Sequence, residues 1–587
     1  MSELGPQYGL FENEKKSELI LLGEVARLAR GRRVDDDEGC QKMSNEVDAV
    51  SVEDDAVGDD AKGAVGGDVG DDAACACESD DFAPFPNADE VLSEFKCLQG
   101  IPLVDPQHTS CLGSPTGSDA HNVRFVRKKI GKVYKLLDVL SEMDHKHVAL
   151  IILLHAASIQ KVVHLMRATP FSVNVWKEFA KFDRAVLECF SVIAGVPDLI
   201  SAHRLSVRQA RLPARLGGLG LRSAARHYAG AFLASSSFAR QYGKVVRGSQ
   251  LPECFELAQA REAASAFLKS EKIGLVDASE PGDEEDANAF LIDSCRYQRE
   301  FSKRLDELEF ESVLASVSVA HKTLLLSRLG PHANPWPRCY PDRASNSEYS
   351  NQELCASLKF QLGIPFLPSD SFLPKFCDKC KTEKVDVFGH HAHSCGNSGN
   401  NTLRHNNVAR FISEFGRGAG LKCELEVRIP GDQSQKRPGD VVIHMDFGGA
   451  RKQFLDVAVV SAMALKTKYR DSGDAIRFRE EFKLKHYEKE VKMGKQRKIN
   501  FIPIVMETGG CWSSRSSSII RRLCMFYAQR NEISRGMASN LFYNSISLIV
   551  QRDNAKAILA RAMFSPPTVV LRNATSLKLP RATQQFN

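Results

Sequence analysis

The sequence predicts an α+β protein with several domains, in which a mostly helical N-terminal half is followed by a C-terminal α/β core with a mixed sheet. One observation is length, since 587 residues are enough for about two to four domains. Another is that apolar residues recur at helical spacing between about positions 120 and 240. The third is a change of pattern after Phe376, where short β-rich runs and helices alternate, as in a small α/β sheet.

Composition predicts a soluble intracellular protein with a polyanionic partner. Because the chain has no apolar run of about 18 residues and no basic-then-apolar leader, we expect no membrane span and no secretion signal. Between Asp35 and Asp81, 17 acidic residues and two lysines give a local charge of −15, which leaves +20 on the rest of a chain whose net charge is +5. A positive charge of this size favours nucleic acid as the binding partner, although ordinary surface lysines explain the charge equally well.

The helical half is predicted from three apolar-periodic segments. VRFVRKKIGKVYKLLDVLSEM and KHVALIILLHAASIQKVVHLM come first, Thr169-Pro170 breaks the pattern, and FDRAVLECFSVIAG resumes it. Gly195 is expected to end that helix, and Gly217, Gly218 and Gly220 to form a tight loop before the next one. Further helices are expected over residues 245–370.

The C-terminal part is predicted to begin with a helix at about residues 403–418. Three β-rich runs follow, LKCELEVRI, DVVIHMDF and QFLDVAVV, and then a charged helix at about 472–493. A last strand, NFIPIVMET, precedes helices that reach about residue 563.

Only one group among the 16 cysteines has metal-ligand spacing, CDKCKTEKVDVFGHHAHSC. Cys377 and Cys380 form a C-x2-C pair and Cys395 closes the group. His390, His391 and His393 compete for the fourth position. Since zinc accepts thiolate and imidazole in a tetrahedral site, four protein ligands predict a structural zinc ion. The alternative is a chance cluster in a His-rich loop.

Two aspartates on a predicted hairpin are candidate ligands for a catalytic Mg²⁺ or Mn²⁺ ion. In KRPGDVVIHMDFGGARKQFLDVAVV, Asp440 begins one strand and Asp456 lies within the next, so both carboxylates can reach one ion. Asp456 lies in an apolar run, where a carboxylate is costly to bury without a cation. Glu426 precedes them on another β-like run. Solvated strand ends are the alternative explanation for these residues.

Other charged groups are expected near the same edge of the sheet. Lys483, Lys485 and Tyr487 lie on the charged helix, where their spacing places Lys483 and Tyr487 on one face. Glu507 ends the apolar run FIPIVMET.

Several motifs, in this order, resemble the C-terminal part of non-LTR retrotransposon polyproteins that carry a restriction-enzyme-like endonuclease of the PD-(D/E)xK type. The motifs are GPQYGLFENEKKSELILLG, CLGSPTGS, RQARLPARLGGLGLRSAARHYAGAFLAS, CDKC…FGHHAHSC…RHN, KRPGDVVI, FLDVAVV, the Lys/Tyr helix and FIPIVMETGG. The resemblance spans nearly the whole chain apart from the acidic stretch.

The resemblance implies roles for the candidate residues. Asp440 and Asp456 become the metal carboxylates. The strand motif of the family has a lysine where this sequence has Ala458, and Lys485 or Lys483 is expected to replace it. Tyr487 and Glu507 are weaker catalytic assignments, and the pattern favours His391 as the zinc ligand. Four further residues are expected to bind nucleic acid: Arg404, His405, Lys436 and Arg437. Arg404 and His405 have an alternative role, that of holding the zinc knuckle against the nuclease.

The resemblance also implies a domain order. The expected parts are a remnant of the polymerase palm (1–33), a disordered acidic insert (34–95), a thumb-like helical region (96–245), a helical linker region (246–370), a CCHC zinc knuckle (371–402), the endonuclease domain (403–565) and a disordered tail (566–587). Because no aromatic-x-Asp-Asp sequence lies in a hydrophobic hairpin context, no reverse-transcriptase activity is expected.

The sequence is compatible with three functions. The first is a metal-dependent endonuclease that nicks target DNA, with element RNA as a further partner and the nucleus as the location. The second is a nucleic-acid-binding protein without cleavage, and the third is a decayed retroelement relic. The sequence leaves the oligomeric state open.

Overall fold

The computed structural model describes residues 110–247, 254–268, 286–366 and 376–561, together with the pairs 19–20 and 103–104. Short gaps interrupt these ranges at 112, 331, 342–346, 378, 385, 429–436, 448, 464–472, 491 and 493–497. The predicted palm remnant, acidic insert and tail lie outside the described residues, and so does Lys436. The chain divides into two compact units, residues 1–121 and 122–587.

In the first unit the structure describes only short strand pairs and the start of a helix. Leu19–Ile20 pairs in parallel with Leu103–Val104, and Ser110–Cys111 pairs antiparallel with Ser114–Pro115.

The first part of the second unit is helical, which confirms the prediction from apolar spacing. Its α-helices are α1 Asp119–Glu142, α2 Lys146–Ile152, α3 Val163–Ala168, α4 Val173–Ala194, α5 Leu199–Ala202, α6 Arg204–Arg211, α7 Ala224–Arg247, α8 Phe255–Leu268, α9 Asp286–Ser316, α10 Val319–Leu326 and α11 Asn351–Leu362. Short 3-10 or π turns join some of them, at Leu153–Ala157, Ile159–Lys161, Ala214–Leu216 and Trp336–Arg338.

Local sequence sets the ends of α4. The Ser172 side chain accepts a hydrogen bond from the backbone N–H of Val175, as an N-cap serine does. Gly195 follows the helix with a φ of 63°, the left-handed conformation that glycine adopts without steric cost. The predicted end of this helix at Gly195 is therefore confirmed.

One segment passes a length and composition test for crossing a membrane. Lys146–Ala168 has a mean hydropathy of 1.8 over its most apolar window, and 56% of that window is buried inside the protein. A buried core helix passes the same test, and a π turn interrupts this one at Leu153–Ala157. The segment is therefore weak evidence for a membrane span.

The C-terminal part contains a mixed four-stranded sheet, as predicted. Its strands are β1 Cys423–Val427, β2 Gly439–Phe447, β3 Ala450–Val460 and β4 Ile499–Glu507, in the order β1-β2-β3-β4. β1 pairs with β2 and β2 with β3 in antiparallel orientation, and β4 runs parallel to β3. The helices of this part are α12 Asn400–Gly418, α13 Asp474–His486, α14 Ser514–Arg530 and α15 Arg535–Leu559. Against the predicted charged helix at 472–493, α13 ends at His486 and residues 488–490 are helical again after Tyr487.

The two faces of the sheet are covered unequally. On one face, Val441, Leu455 and Ile504 pack in a large apolar core with α12, α14 and α15. On the other face α13 covers two small apolar clusters, one around Phe454 and one around Val505. Side chains alternate between faces along a strand, so Asp440 and Asp456 belong to the α13 face. On that face the two aspartates lie beside α13, between the two apolar clusters.

The helical part and the sheet part are joined by close backbone contacts. The backbone N–H of Cys511 donates to the carbonyl of Ser327 at 3.1 Å. A Cβ on Gly510 would lie 1.7 Å from the carbonyl oxygen of Ala333, so only glycine fits the loop after β4. The helical core also reaches Leu548 of α15.

Candidate functional site

The Cys/His group folds into one cluster. Cys377, Cys380, His391 and Cys395 bring one ligand atom each to within 4.8 Å of one another. The sulfurs of Cys377 and Cys395 are 3.9 Å apart, and Cys380 Sγ lies 3.3 Å from His391 Nε2. Ligand atoms around a tetrahedral zinc with bonds of about 2.3 Å are about 3.8 Å apart. The cluster can therefore hold a metal ion, and its geometry is compatible with structural zinc.

A short capped turn returns His391 to the cysteines. The Asp386 carboxylate accepts hydrogen bonds from three backbone N–H groups within Phe388–His391, at 2.9–3.3 Å. Gly389 adopts a φ of 72°, and a Cβ there would lie 3.2 Å from Ile558. Asp386 was not among the predicted site residues. The signal was present, because an aspartate three residues before a glycine is a turn-forming pattern.

The structure selects one of the three candidate histidines. His390 Nδ1 lies 3.3 Å from Asp386, outside the cluster. His393 is 1% exposed, and its ring lies 4.2 Å from the ring of Phe360. Only His391 has a ring nitrogen among the cysteine sulfurs, and this is the choice that the resemblance favours.

Hydrogen bonds favour the thiolate form of Cys380, whereas burial disfavours that of Cys395. A hydrogen bond from the Thr382 side chain, followed by bonds from backbone N–H groups and from His391, lowers the pKa of Cys380 to about 6. Burial raises the pKa of Cys395, and a hydrogen bond from the Arg561 side chain acts against the rise. Donors that surround sulfur ligands are typical of metal sites.

Arg404 is buried between the Cys/His cluster and α15. It is 2% exposed, and it donates to Asn554 Oδ1 at 2.7 Å and to the carbonyl of His393 at 3.1 Å. These contacts link the loop of the Cys/His cluster to α15. Ala392 packs nearby against Ile558.

The two aspartates meet on neighbouring strands. Val441 pairs with Leu455 across antiparallel β2 and β3, which places Asp440 opposite Asp456 at the next position. Asp440 Oδ2 also accepts a hydrogen bond from the backbone N–H of Val457 at 2.7 Å. The hairpin thus brings the carboxylates together, as the sequence predicts.

Lys483 is the lysine that reaches this acid pair. Its Nζ lies 2.8 Å from Oδ1 and 2.7 Å from Oδ2 of Asp456, whose side chain is 2% exposed. Burial raises the pKa of Asp456 to about 7, the Asp440 carboxylate adds to the rise, and Lys483 opposes it. A buried carboxylate with a raised pKa and a specific cation is typical of functional sites, although structural ion pairs share these features.

His405 contacts the other carboxylate. His405 Nε2 lies 3.5 Å from Asp440 Oδ2, and the hydrogen bond between them raises the pKa of His405. Burial acts to raise the pKa of Asp440, but His405, the Val457 N–H and Lys483 outweigh it, so this pKa is lowered. The two aspartates therefore titrate as an interacting pair, with the pKa of Asp456 raised and that of Asp440 lowered.

The other predicted residues lie at different distances from the pair. Lys485 is exposed on α13. The Tyr487 ring is 5.9 Å from Lys483 Nζ, and burial first, then the charges of the two aspartates, raises its pKa to about 12. Arg437 is exposed and lies 3.5 Å from Glu426. Lys483 and Tyr487 thus share the site, as their spacing predicts.

Glu507 is buried but lies away from the acid pair. Asp456 pairs with Pro503 on β4, so Glu507 is four residues farther along, roughly 13 Å at 3.3 Å per residue. It is 1% exposed, and the backbone N–H of Gly473 donates to it at the start of α13. Burial raises the pKa of Glu507 to about 7, and the charge of Asp474 adds to the rise. Its place indicates that it positions α13.

Glu507→Gln is expected to stabilise the protein at pH 8 and to leave it nearly unchanged at pH 4. The folded-state pKa lies above the ordinary value of 4.5, so the folded state loses stability as pH rises from about 4.5 to 7. Removing the ionisation should raise the free energy of unfolding by about 2–3 kcal/mol at pH 8. Urea unfolding at both pH values measures the change. The exposed Glu481→Gln is the matched control, and an equal gain at both pH values would contradict the explanation.

Glu426 lies on the strand next to Asp440, with its exposed carboxylate 3.5 Å from Arg437. Leu425 pairs with Val441 and Val427 with Gly439, so Glu426 lies at the level of Asp440. Its φ of 56° is rare for a residue with a side chain, which makes the position a strained one. The sequence indicates only that Glu426 precedes the aspartates on a β-like run, because cross-strand register is not visible in it.

Comparisons with known proteins leave the class of protein to be argued from the site itself. No protein-family model matches the chain, and no curated protein matches it. The structure defines a mostly helical chain with a mixed four-stranded sheet, a Cys3His cluster that can hold a metal ion, and a buried pair of aspartates held by a lysine.

Proposed function

We propose that this chain is a metal-dependent DNA endonuclease with a core of the PD-(D/E)xK type, derived from a non-LTR retrotransposon polyprotein. The observation that carries the proposal is the acid pair. Asp440 and Asp456 lie opposite each other on β2 and β3, and Lys483 lies within 2.8 Å of both oxygens of Asp456. Two adjacent carboxylates and a lysine are the groups that metal-dependent phosphodiester cleavage uses.

The residues fit a divalent ion. The pair already binds a cation, because the Lys483 ammonium lies against Asp456. Mg²⁺ is usually held by one or two carboxylates and keeps several waters, so Asp440 and Asp456 suffice as protein ligands. A bound Mg²⁺ or Mn²⁺ would lower the pKa of a water molecule and provide positive charge for the phosphate.

The chain's own residues orient this chemistry. The Val457 N–H and His405 fix the Asp440 carboxylate in position. Lys483, on α13, provides a cation beside Asp456 and takes the place of the strand-motif lysine, at whose position this sequence has Ala458. Tyr487 packs against Phe501 and limits water access on one side of Lys483.

A one-sign basic surface on α1 supports a nucleic-acid partner. Arg124, Lys128, Lys132 and Lys135 are exposed along about 16 Å of the helix and have no ion-pair partner among the described residues. The opposite face of α1 is buried in the helical core. Outside residues 35–81 the chain carries a net charge of +20. Phosphate groups are the partner that such a surface attracts.

The remaining parts of the proposal follow from the resemblance. We propose that the metal in the Cys3His cluster is zinc, that DNA is the substrate with element RNA as a further partner, and that the chain acts in the nucleus. No polymerase activity is proposed, since the sequence lacks the catalytic aspartate pair of a polymerase hairpin.

The full-length protein should nick supercoiled plasmid in Mg²⁺ or Mn²⁺. Asp440→Asn and Asp456→Asn should each lower the nicking rate at least about 100-fold, because each removes a metal carboxylate. The control is Asp446→Asn, an exposed aspartate on the same strand β2, which should nick at the parental rate. Nicking rate per protein is measured by gel, with zinc content and thermal midpoint recorded for each variant.

A second candidate function has its own supporting observation. The α1 surface does not depend on the acid pair, so a chain that binds DNA without cutting it would retain that surface. Absence of nicking in the folded, zinc-loaded protein, together with DNA binding that weakens steeply with salt, would favour this candidate and exclude the endonuclease.

A further inference from the structure

Helix α13 presents an aromatic face to solvent next to the acid pair. Phe478 is 51% exposed and Phe482 is 47% exposed, and both are among the most exposed large apolar side chains of the described residues. His486 follows one turn later, with its ring nearly parallel to Phe482 at an interplanar angle of 11° and a centroid distance of 5.8 Å. Residues at i, i+4 and i+8 lie on one side of a helix, so the three rings form a single stripe.

Folding of α13 itself does not explain these exposed rings. The side of the helix that packs on the sheet uses Ile476, Leu484 and Tyr487. Fully burying a Phe side chain stabilises a fold by roughly 1.5–3 kcal/mol, a contribution that these two half-exposed rings largely forgo. Exposed aromatic residues grouped on one face are typical of binding surfaces.

The charge around the stripe favours a phosphate-bearing partner. The guanidinium of Arg479 lies over the Phe482 ring, 5.1 Å from its centroid. Lys485 and Lys489 are exposed on the turns that follow, and the exposed acidic residues beside them are Glu481 and Glu488, of which Glu488 pairs with Lys492 at 2.8 Å. An aromatic stripe edged by cations matches a nucleic-acid strand, in which bases stack and phosphates lie alongside.

The stripe and the lysine of the candidate catalytic site lie on the same helix, α13. Lys483, which holds Asp456, directly follows Phe482 on the same helix. Phe482 and Lys483 differ by about 1.5 Å of axial rise, so a strand with a phosphate at the acid pair would pass α13 at the level of the stripe. Bases inside a duplex are stacked on each other, and an aromatic ring can stack on them only where they are unpaired.

We propose that the face formed by Phe478, Phe482 and His486 stacks on unpaired bases of the DNA strand next to the cut. The substrate is then duplex DNA with a locally opened or single-stranded segment. This inference rests on the proposed function for the position of the phosphate, whereas binding of unpaired bases by the stripe is independent of cleavage.

The test compares a duplex that contains a central bubble with the same duplex fully paired. Fluorescence anisotropy of full-length protein is measured without Mg²⁺ or Mn²⁺, so that binding does not depend on cleavage. The parent should prefer the bubble, and Phe478→Leu with Phe482→Leu should weaken bubble binding about 10-fold or more. Binding of the paired duplex should change less than about 3-fold, since phosphate contacts remain.

Two further variants separate stacking from general damage. Phe255→Leu makes the same change at another exposed phenylalanine, 71% exposed on α8, and should leave both affinities unchanged. Phe482→Trp, which enlarges the ring, should keep or increase the preference for the bubble. Equal loss on both duplexes in the double Leu variant, or no preference for the bubble in the parent, would overturn the inference.

The two proposals can fail separately. A parent that nicks plasmid but shows no bubble preference supports the endonuclease and overturns the stacking face. A parent that cuts nothing but loses bubble binding in the double Leu variant supports the stacking face and overturns the endonuclease.

Discussion

Cys395→Ser is expected to remove the bound metal and to lower the thermal midpoint of the whole C-terminal part. Purified parent protein should hold about one zinc ion per chain, and the variant much less, because a hydroxyl is a poor replacement for a thiolate. The free energy that a structural zinc contributes to folding is large, so loss of about 3 kcal/mol is a modest expectation. It corresponds to a fall of roughly 6–12 °C.

The effect should spread beyond the loop because the cluster is packed into the protein. Ala392, between the ligands, contacts Ile558 of α15, and Arg404 ties His393 to Asn554. Without the metal, a loop too small for its own core has little to hold Arg404 in place, and a buried arginine without its hydrogen bonds is costly.

Cys254→Ser is the matched control, because Cys254 is an exposed free cysteine far from the cluster in sequence. It should bind zinc and unfold like the parent. Metal content is measured by mass spectrometry and the midpoint by circular dichroism. A Cys395→Ser protein with full zinc content, or with no metal in the parent at all, would contradict the assignment of the ligands.

The parts of the site that the sequence predicts are those made by local chain geometry. The cysteine and histidine ligands lie within 19 residues, and the two aspartates lie on one hairpin, so spacing alone places them together. The choice among His390, His391 and His393 depends on the Asp386 turn and on Phe360, which lies about 30 residues away. Spacing could not decide it.

The parts that could not be predicted depend on distant packing. Arg404 lies next to a motif that suggests phosphate contact, but Asn554, 150 residues later, holds it in the interior. Glu507 ends a strand as expected, yet the register of β3 with β4 places it about four residues beyond Asp456. The choice between Lys483 and Lys485 depends on how α13 is rotated, and Leu484 and Tyr487 set that rotation by packing on Phe454 and Phe501.

Lys483→Met should lower plasmid nicking about 100-fold or more, while Lys485→Met should leave it within about 3-fold. Removing one fixed charge that faces the reacting group typically has an effect of this size. Both variants make the same change on the same helix two residues apart, one at the lysine that pairs with Asp456 and one at an exposed lysine. Equal loss in the two variants, or a larger loss in Lys485→Met, would show that Lys483 is not the active lysine.

Lys483→Met should also destabilise the fold, and the loss should grow with pH. Without the lysine, Asp456 is a buried charge with no cation, and breaking a buried pair in this way costs about 3–5 kcal/mol. The pKa of Asp456 is already raised to about 7, and removing Lys483 raises it further. At pH 5 the carboxyl is protonated and the cost is small, whereas at pH 8 it is ionised and the cost is large.

The double variant Lys483→Met with Asp456→Asn separates the two effects. Neutralising the stranded carboxylate should restore most of the stability at pH 8, because no unpaired charge remains buried. It should not restore nicking, because both the cation and a metal carboxylate are then missing. Recovery of stability without activity is the expected outcome of a lysine that holds Asp456 and also takes part in cleavage. If the ion pair were only structural, Lys483→Met would lower nicking no more than its loss of stability explains.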